Sequence, residues 1–364
     1  MERVIQTLLT WYNLRARNLP WRETLDPYRI WLSEVILQQT RVAQGMDYYH
    51  KFVEKCKNVN ELASLDEAEV LKLWQGLGYY SRARNLHKSA QKVVDVFGGQ
   101  FPKELDELQN LPGVGEYTSN AIRAFAFNLP AVAIDGNVKR VSSRWFGVDI
   151  PINKSEFSRE IYPWLMKYCE ESEQPNLFNQ ALIELGAMVC TPTNPKCGEC
   201  PLNESCFANL QKRQNDFPVL EKKKKPLEVR YQYVALHFRG NWAMYCRPDT
   251  EIWAKLYEFP LQVVASETDT GIDSWLENLP WIESGIIKGR KEFKHQLTHR
   301  TIRATCWVVE MGDKRGERLS PENETKLYPL MEPYQWVREV DMELFPIHRL
   351  MEKMMKFAKD CISS

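Results

Sequence analysis

The stretch CTPTNPKCGECPLNESC, residues 190–206, brings four cysteines together in the spacing C-x6-C-x2-C-x5-C. The remaining cysteines, of nine in the chain, are scattered singly. Closely spaced thiolates of this kind hold either an iron–sulfur cluster or a structural zinc ion. A disulfide pair is the weaker alternative, because nothing else in the chain indicates an oxidising compartment. The spacing therefore predicts a metal site with Cys190, Cys197, Cys200 and Cys206 as ligands.

The bulk composition limits the class of protein. A chain of 364 residues is long enough for two domains. Lysine plus arginine number 48 and aspartate plus glutamate number 48, so net charge does not select a partner, although a local basic face is enough to bind nucleic acid. The N-terminus lacks a signal-peptide pattern, and no apolar run approaches the roughly 20 residues of a membrane helix. We expect a cytoplasmic protein that does not enter a membrane.

Two parts of the chain follow different patterns. Residues 1–215, which include the cysteine loop, show apolar residues at helical spacing between frequent glycines and prolines, which predicts an all-α domain. The run EKKKKPLEV indicates an exposed linker, which we place at residues 216–228. Beyond it, VRYQYVALHF, NWAMYCRP and TIRATCWVVEM predict strands, and PIHRLMEKMMKFAKD predicts a closing helix. Residues 229–364 are therefore predicted to form a separate α+β domain.

The segment LQNLPGVGEYTSNAI places two glycines, Gly113 and Gly115, between two helical runs. Glycines in so tight a turn let the backbone approach a partner and direct its N–H groups outward at a helix N-terminus, which suits a DNA phosphate. An ordinary turn between helices would have the same appearance. The motif by itself leaves both interpretations open.

Two carboxylates stand in contrasting contexts. Asp135, in AIDGNVKRV, is expected to cap a helix N-terminus, where N–H groups and the helix dipole favour its ionised form. Glu34, in WLSEVILQQT, lies among apolar residues, and burial there would raise its pKa. The alternative for Glu34 is a structural pair with Arg22 or Arg41. Two carboxylates whose pKa values are pushed apart are the arrangement expected for cleavage of a glycosidic bond.

Six segments in order, LPWR, SEVILQQTRV, GLGYYSRARNL, LPGVGEYT, AIDGNVKRV and NQALIELGAMVC followed by the four cysteines, resemble the MutY-type adenine DNA glycosylases of the helix-hairpin-helix superfamily. The resemblance spans most of residues 20–206. It implies a helix-hairpin-helix glycosylase domain whose cysteines hold a [4Fe–4S] cluster with a scaffold role. It also implies base excision repair of double-stranded DNA that carries adenine opposite 8-oxoguanine or guanine, by an enzyme that we expect to be a monomer.

One position distinguishes the branches of this superfamily. In the endonuclease III branch, the residue two places after the second hairpin glycine is a lysine that forms a Schiff base with the sugar. Here that residue is Tyr117, and a phenol cannot form an imine. The resemblance therefore implies a monofunctional glycosylase that leaves an abasic site, with a bifunctional endonuclease III-like glycosylase/lyase as the alternative. Lys139 could trap the sugar adventitiously, but we expect it to contact a DNA phosphate, as we do Lys196.

The resemblance also implies individual roles. Glu34 would protonate N7 of an extruded adenine, and Asp135 would stabilise the oxocarbenium ion. Tyr117 and Asn137 would orient Asp135 and the nucleophile. Residues expected to line the adenine pocket are Trp21, Arg22, Gln180 and Ile183. Residues expected to enter the duplex beside the lesion are Leu37, Gln39 and Tyr79.

The C-terminal part resembles the Nudix-like domain of the same family, which contacts the 8-oxoguanine side of the mispair. The segment KHQLTHRT corresponds to its lesion-reading loop, so Leu297, Thr298 and His299 are predicted to sense the lesion; a plain β-hairpin with a buried leucine is the alternative. No Nudix box of glutamates is present, which argues against a metal-dependent nucleotide hydrolase. A non-catalytic iron–sulfur protein that binds DNA would need neither Glu34 nor Asp135.

Overall fold

The computed structural model describes residues 1–221, 226–264, 285–311 and 334–363. These residues divide into two compact units. Met1–Leu65 and Asn85–Lys223 form the helical unit, and Asp66–Arg84 and Lys224–Ser364 form the sheet unit. The lysine run of the predicted linker, residues 222–225, lies outside the described residues. Among the described residues, no helix combines the length and the apolar character that crossing a bilayer requires.

The predicted helical character of the first part of the chain is confirmed. Its helices are α1 (Glu2–Arg15), α2 (Pro27–Leu37), α3 (Val42–Lys55), α4 (Val59–Ala63), α5 (Glu67–Leu73), α6 (Ser81–Phe97), α7 (Leu105–Gln109), α8 (Glu116–Phe127), α9 (Gly136–Phe146), α10 (Ser155–Glu171), α11 (Pro175–Met188) and α12 (Phe207–Leu210). Short 3-10 turns occupy Pro20–Arg22 and Cys197–Glu199.

Helix α2 shows how local sequence sets a helix and its place in the core. Asp26 caps it by accepting a hydrogen bond from the backbone N–H of Tyr28, and Pro27 occupies the first turn, where a missing N–H costs nothing. The helix ends at Leu37, and two residues later Gln39 takes a left-handed backbone with φ 57°. Residues Ile30 through Ile36 are all buried, so α2 lies inside the helical unit rather than on its surface.

Among the apolar clusters in the described residues of the helical unit, two position the helices around Asp135. The larger one joins α1, α9, α10 and α11 through fully buried residues such as Leu8, Phe157, Phe178 and Leu182. Each such side chain contributes about 1.5–3 kcal/mol through burial. A smaller cluster packs Ile30 of α2 against α8 and the strand-like segment that leads to Asp135. The two clusters fix α2, α8, α9 and α11 around one space.

The sheet unit confirms the predicted α+β character of the second part. Its strands are β1 (Leu227–Phe238), β2 (Asn241–Cys246), β3 (Tyr257–Glu258), β4 (Leu261–Val264), β5 (Gly285–Gln296), β6 (Arg300–Met311) and β7 (Gln335–Arg338), followed by helix α13 (Arg349–Ser363). Within the described residues the sheet order is β3-β2-β1-β6-β5; β1 and β6 run parallel, while β4 pairs with β1 and β7 with β2. Alternate residues of β6, from Ile302 to Val308, are buried against α13 and its neighbours.

Part of the helical sequence belongs to the sheet unit. Tyr80 donates a hydrogen bond to the carbonyl of Ile347 at 3.2 Å, and Arg84 donates to the carbonyl of Ala254 at 2.7 Å. These bonds attach residues 66–84, with α5 and the loop after it, to the sheet unit. Sequence patterns could not predict that residues 66–84 belong to the sheet unit, because this depends on contacts between residues far apart in the chain.

Candidate active site

A cavity of about 1250 Å³ opens in the helical unit. It lies where α2, the α7–α8 turn, the start of α9 and α11 meet. Most of the residues predicted for catalysis, base binding and backbone contact line it: Trp21, Arg22, Glu34, Leu37, Gln39, Gly113, Gly115, Tyr117, Asp135, Asn137, Lys139, Gln180 and Ile183. Segments that are far apart in sequence therefore meet at one site.

Glu34 is a buried carboxyl with one close polar partner. Its side chain projects from α2 and is 9% exposed, and the Tyr117 hydroxyl of α8 donates a hydrogen bond to its Oε2 at 2.6 Å. Burial raises the pKa of Glu34 to about 7, against the opposing effect of that hydrogen bond. Arg22 was one of two arginines considered as a structural partner of Glu34, but it forms its ion pair with Glu184 instead. A raised pKa favours the protonated carboxyl, the form that can act as an acid.

Asp135 occupies the N-cap of α9, as the sequence predicts. Its Oδ1 accepts a hydrogen bond from the backbone N–H of Val138 at 2.7 Å, and its Oδ2 accepts one from the side-chain amide of Asn137 at 2.7 Å. Burial, which the sequence did not indicate for this residue, raises the pKa of Asp135; the hydrogen bonds from Val138 and Asn137 favour its ionised form, as expected, without cancelling that rise. Tyr117 also differs from expectation, because its hydroxyl binds Glu34 rather than Asp135.

Arg140 of α9 holds Asn137 in place, and the sequence alone did not single it out. Its Nη2 donates to Asn137 Oδ1 at 2.9 Å and to the carbonyl of Gly186 at 2.8 Å, and its Nε donates to the carbonyl of Cys190 at 2.8 Å. A Cβ at Gly186 would come within 2.5 Å of the Asn137 Cβ, so α9 and α11 approach closely only because that residue is glycine. The amide that holds Asp135 is therefore itself fixed.

A buried ion cluster supports the side of the cavity formed by α11. Glu184 is fully buried and accepts hydrogen bonds from Arg17 and Arg22, each at 2.7 Å. Those hydrogen bonds outweigh its burial and lower the pKa of Glu184 to about 2. The guanidinium of Arg22 lies over the Tyr12 ring, and the Tyr12 hydroxyl donates to Gln180 Oε1 at 2.6 Å. Glu184 lies one helical turn after Gln180, and this spacing was the one sign of the cluster in the sequence. The arginines that bind Glu184 lie in another segment, so the pairing itself could not be predicted.

The four cysteines of the 190–206 loop line one small pocket in the helical unit. Arg144 closes it from α9: its guanidinium lies 3.4 Å from Cys190 Sγ and donates to the carbonyls of Thr191 and Pro192. None of the four is in a disulfide, and in the described residues no three His, Cys, Asp or Glu side chains are grouped for a single metal ion. Four cysteine thiols around one pocket are the donor set that a [4Fe–4S] cluster uses. The loop residue predicted to contact DNA, Lys196, is exposed.

The turn between α7 and α8 has the geometry expected of a hairpin that binds a phosphate. Gly113 has φ +75°, and a Cβ there would lie 2.8 Å from the Cβ of Asn85. Gly115 is the N-cap of α8, with open space around it. Both glycines are exposed and precede a twelve-residue helix, so a phosphate oxygen can approach the start of the helix without meeting a side chain from either residue. Lys139 is half-buried at the same cavity.

The sheet unit brings together two other sets of predicted residues. Tyr79, which is 46% exposed, has its hydroxyl hydrogen-bonded to that of Thr298. The Leu297–Thr298–His299 turn joins β5 to β6, with the Leu297 N–H donating to the carbonyl of Arg300 at 2.8 Å. Thr298 and His299 are exposed, whereas Leu297 packs on the core of the sheet unit. The structure thus places a predicted duplex-entering residue beside the predicted lesion-reading loop.

Three protein-family descriptions match successive parts of the chain: the helical unit, the cysteine loop and the sheet unit. Residues 32–166 match the HhH-GPD superfamily base excision DNA repair proteins, residues 190–206 the iron–sulfur binding domain of endonuclease III, and residues 232–357 the NUDIX domain. The solved structure of a thermostable thymine-DNA glycosylase aligns with a TM-score of 0.53 at 29% identity, over 58% of this chain and 98% of that one. The fold and the cavity therefore define a base excision repair protein of the helix-hairpin-helix class with a [4Fe–4S] motif.

Two relatives that match most of this chain narrow the class further. An adenine DNA glycosylase of Buchnera aphidicola (subsp. Baizongia pistaciae) is 34% identical over 312 residues, which cover 84% of this chain and 85% of the relative. An adenine DNA glycosylase of Rattus norvegicus is 38% identical over 257 residues, 68% of this chain and 48% of the relative. The chain belongs to the adenine DNA glycosylase family.

Proposed function

We propose that this protein is a monofunctional glycosylase that hydrolyses the N-glycosidic bond of adenine opposite 8-oxoguanine or guanine and leaves an abasic site. One observation carries the proposal: Glu34, a buried carboxyl with a pKa of about 7, shares a cavity with Asp135, a second carboxyl held by two hydrogen bonds. Two carboxyl groups in one cavity suit acid-assisted departure of a base and stabilisation of the sugar cation that remains.

Glu34 supplies the proton. When the C1′–N9 bond breaks, its electron pair moves to the adenine ring, and a proton delivered to N7 makes the base a better leaving group. The Tyr117 hydroxyl fixes the carboxyl by donating to Oε2, which leaves the other oxygen available to carry the proton. Extrusion of the nucleotide into a cavity of about 1250 Å³ costs a few kcal/mol of lost stacking and pairing.

Asp135 acts on the sugar. Its ionised carboxylate would stabilise the oxocarbenium ion, and it can add to C1′ to form an ester that water then displaces, which returns the carboxylate. The hydrogen bonds from Val138 and Asn137 favour that ionised form against burial. Burial alone would favour a protonated acid, so these two donors are needed for the carboxylate to act as an anion.

The adenine itself would be held by the α11 side of the cavity. Gln180 presents an amide, and Arg22 a guanidinium, fixed by Tyr12 and Glu184. Trp21 and Ile183 supply apolar area at the same cavity. Amide and guanidinium groups suit the nitrogen-rich edge of a purine, while apolar residues suit its faces.

A bifunctional lyase remains the second candidate because Lys139 lines the same cavity. An amine there could attack C1′ after base loss. Its position on α9, beside the N-cap of that helix, equally suits a phosphate contact. Tyr117, at the position where the lyase branch carries lysine, favours the monofunctional assignment.

Recognition of the opposite base is assigned to the sheet unit. We propose that Thr298 and His299 contact 8-oxoguanine, and that Tyr79 enters the duplex beside it, with Leu37 and Gln39 of the helical unit contacting the same region. The supporting observations are the exposure of Thr298 and His299 and the hydrogen bond between Thr298 and Tyr79. If the double substitution Thr298→Ala and His299→Ala left the ratio of rates opposite 8-oxoguanine and guanine unchanged, this assignment would fail.

One assay tests the overall proposal. Purified protein is incubated with duplex DNA that carries adenine opposite 8-oxoguanine, and the reaction is divided between quenching with and without alkali. Adenine release with strand breakage only after alkali supports a monofunctional glycosylase. Breakage without alkali that Lys139→Gln abolishes would instead assign a lyase, and failure to release adenine would contradict the proposal.

A further inference from the structure

The loop before α6 holds Tyr79 in a backbone conformation that an L-residue rarely adopts. Tyr79 has φ 48°, and Gly76 and Gly78 on its N-terminal side have φ 96° and 76°. A left-handed tyrosine with nearly half of its side chain exposed needs surrounding contacts to keep one conformation. Such contacts come from Trp74, at the end of α5, and Arg82, in the first turn of α6; neither is part of the proposed catalytic or base-reading sets.

Both residues bind the peptide unit that precedes Tyr79. Trp74 donates its indole N–H to the carbonyl of Gly78 at 3.0 Å, and Arg82 donates from Nη2 to the same carbonyl at 3.3 Å. The Arg82 backbone N–H donates to the carbonyl of Tyr79 at 2.9 Å. The carbonyl groups of Gly78 and Tyr79 are therefore both fixed by hydrogen bonds.

The Arg82 guanidinium also contacts the aromatic rings of these neighbours. Its Cζ lies 5.0 Å from the centroid of the Trp74 ring and 5.7 Å from the centroid of the Tyr79 ring. A planar guanidinium both stacks on aromatic faces and donates hydrogen bonds in a fixed fork, which an ammonium group does not do. Burial lowers the pKa of Arg82 to about 10, so the group remains charged at neutral pH although it is partly withdrawn from water.

We propose that Arg82 is a positioning residue that holds the Tyr79 ring in the orientation needed to enter the duplex, rather than a ligand of a DNA phosphate. This inference rests on the proposed function of Tyr79. The alternative role for an arginine in a protein that binds DNA is contact with a phosphate of the backbone. Experiments on Arg82 must therefore separate its effect on the orientation of the Tyr79 ring from the effect of its positive charge on DNA affinity.

The first test examines the ring without DNA. 3-Fluorotyrosine is placed at position 79 of the full-length protein, and the ¹⁹F resonance is compared between the wild-type chain, Arg82→Lys and Lys88→Arg, a change on the exposed part of α6. One sharp resonance that shifts and broadens in Arg82→Lys, but not in Lys88→Arg, is expected. An unchanged resonance in Arg82→Lys would overturn the positioning role, whether or not Tyr79 acts on DNA.

The second test measures function with a double-mutant cycle. Single-turnover adenine release opposite 8-oxoguanine is measured for Tyr79→Leu, Arg82→Lys, Arg82→Gln and the double variant Tyr79→Leu/Arg82→Lys. We expect Arg82→Lys and Arg82→Gln each to release adenine about tenfold more slowly than the wild-type chain. The double variant should be no slower than Tyr79→Leu, because both changes act on the same ring. The dependence of DNA affinity on salt should be the same in Arg82→Gln and the wild-type chain.

The outcomes distinguish the two hypotheses. Full activity in Arg82→Lys, together with a salt slope reduced by about one in Arg82→Gln, would assign Arg82 to a phosphate and overturn the inference. Full activity in Tyr79→Leu would contradict the proposed entry of Tyr79 into the duplex, while the ¹⁹F result would still decide whether Arg82 holds the ring. Thermal unfolding of each variant separates these effects from loss of the fold.

Discussion

The hydrogen bond from Tyr117 to Glu34 predicts a measurable change in the pH dependence of adenine release. Protonated Glu34 is the proposed acid, and its pKa of about 7 makes kcat/KM fall as pH rises above neutrality. The Tyr117 hydroxyl favours the ionised carboxylate, since it donates to Oε2 at 2.6 Å. Tyr117→Phe removes that donor with little change in shape, so the pKa of Glu34 should rise.

The size of the shift follows from the type of bond that is lost. A hydrogen bond to a charged group contributes about 1.5–3 kcal/mol, and one pKa unit corresponds to about 1.36 kcal/mol. The alkaline limb of the kcat/KM profile should therefore move up by roughly 1–2 pH units. Whatever constant loss the substitution brings, the ratio of Tyr117→Phe to wild-type kcat/KM should rise by about fivefold for a shift of one pH unit, and by about 25-fold for a shift of two, between pH 7 and pH 9.

The assay is initial-rate release of adenine across this pH range from a duplex with adenine opposite 8-oxoguanine. Tyr12→Phe is the matched control, because the Tyr12 hydroxyl donates at the same distance, 2.6 Å, to Gln180 rather than to Glu34. Its alkaline limb should stay at the wild-type pH. A ratio for Tyr117→Phe that is flat with pH would refute the reasoning that Glu34 is the titrating acid and Tyr117 its regulator.

Three further substitutions test other parts of the account. Glu184→Gln leaves the partly exposed Arg17 and Arg22 without their buried carboxylate and should lower the free energy of unfolding by about 3 kcal/mol, measured by urea denaturation. Gly113→Ala should weaken DNA binding severalfold, because in the turn that would bind the phosphate a left-handed alanine costs about 1–2 kcal/mol and its Cβ meets Asn85. Gly98→Ala is the control, because Gly98 is also left-handed but lies outside that turn; equal losses of DNA affinity in the two variants would contradict the hairpin geometry. Arg144→Met removes donors to three loop groups and should reduce iron per chain after purification, so unchanged iron content would show that the loop does not depend on it.

Local sequence predicts those features of the site that depend on neighbours in the chain. The N-cap role of Asp135 follows from AIDGNVKRV, and the apolar residues around Glu34 on α2 correctly indicate burial and a raised pKa. The glycines of the α7–α8 turn likewise predict the hairpin. In each case the cause lies within a few residues of the group, so a pattern in the sequence is sufficient.

Features of the site that depend on packing between distant segments could not be predicted from the sequence. The pKa of Asp135 rises because α9 is buried against other helices, an effect that outweighs its hydrogen bonds. The partner of Glu34 is Tyr117, because α2 packs against α8. Glu184 meets Arg17 and Arg22 only when α11 lies beside the N-terminal segment.

The assignment of residues 66–84 to the sheet unit has the same explanation. Nothing in the helical pattern of α5 or in the GLGYYSRARNL segment indicates that their partners come from the second part of the chain. The attachment is made by side chains that reach backbone carbonyls, Tyr80 to Ile347 and Arg84 to Ala254. Such bonds leave no periodic signal in either segment.

The central claim is that Glu34 protonates the departing adenine while Asp135 stabilises the sugar cation. Single-turnover adenine release at saturating enzyme tests it in Glu34→Gln and in Asp135→Asn, whose amide preserves the helix cap. Both variants should be slower by about a hundredfold or more, with DNA affinity within about threefold of the wild-type value. Glu116→Gln, an exposed carboxylate at the start of α8, should keep the wild-type rate. A rate within about threefold of wild type in either Glu34→Gln or Asp135→Asn would contradict the claim.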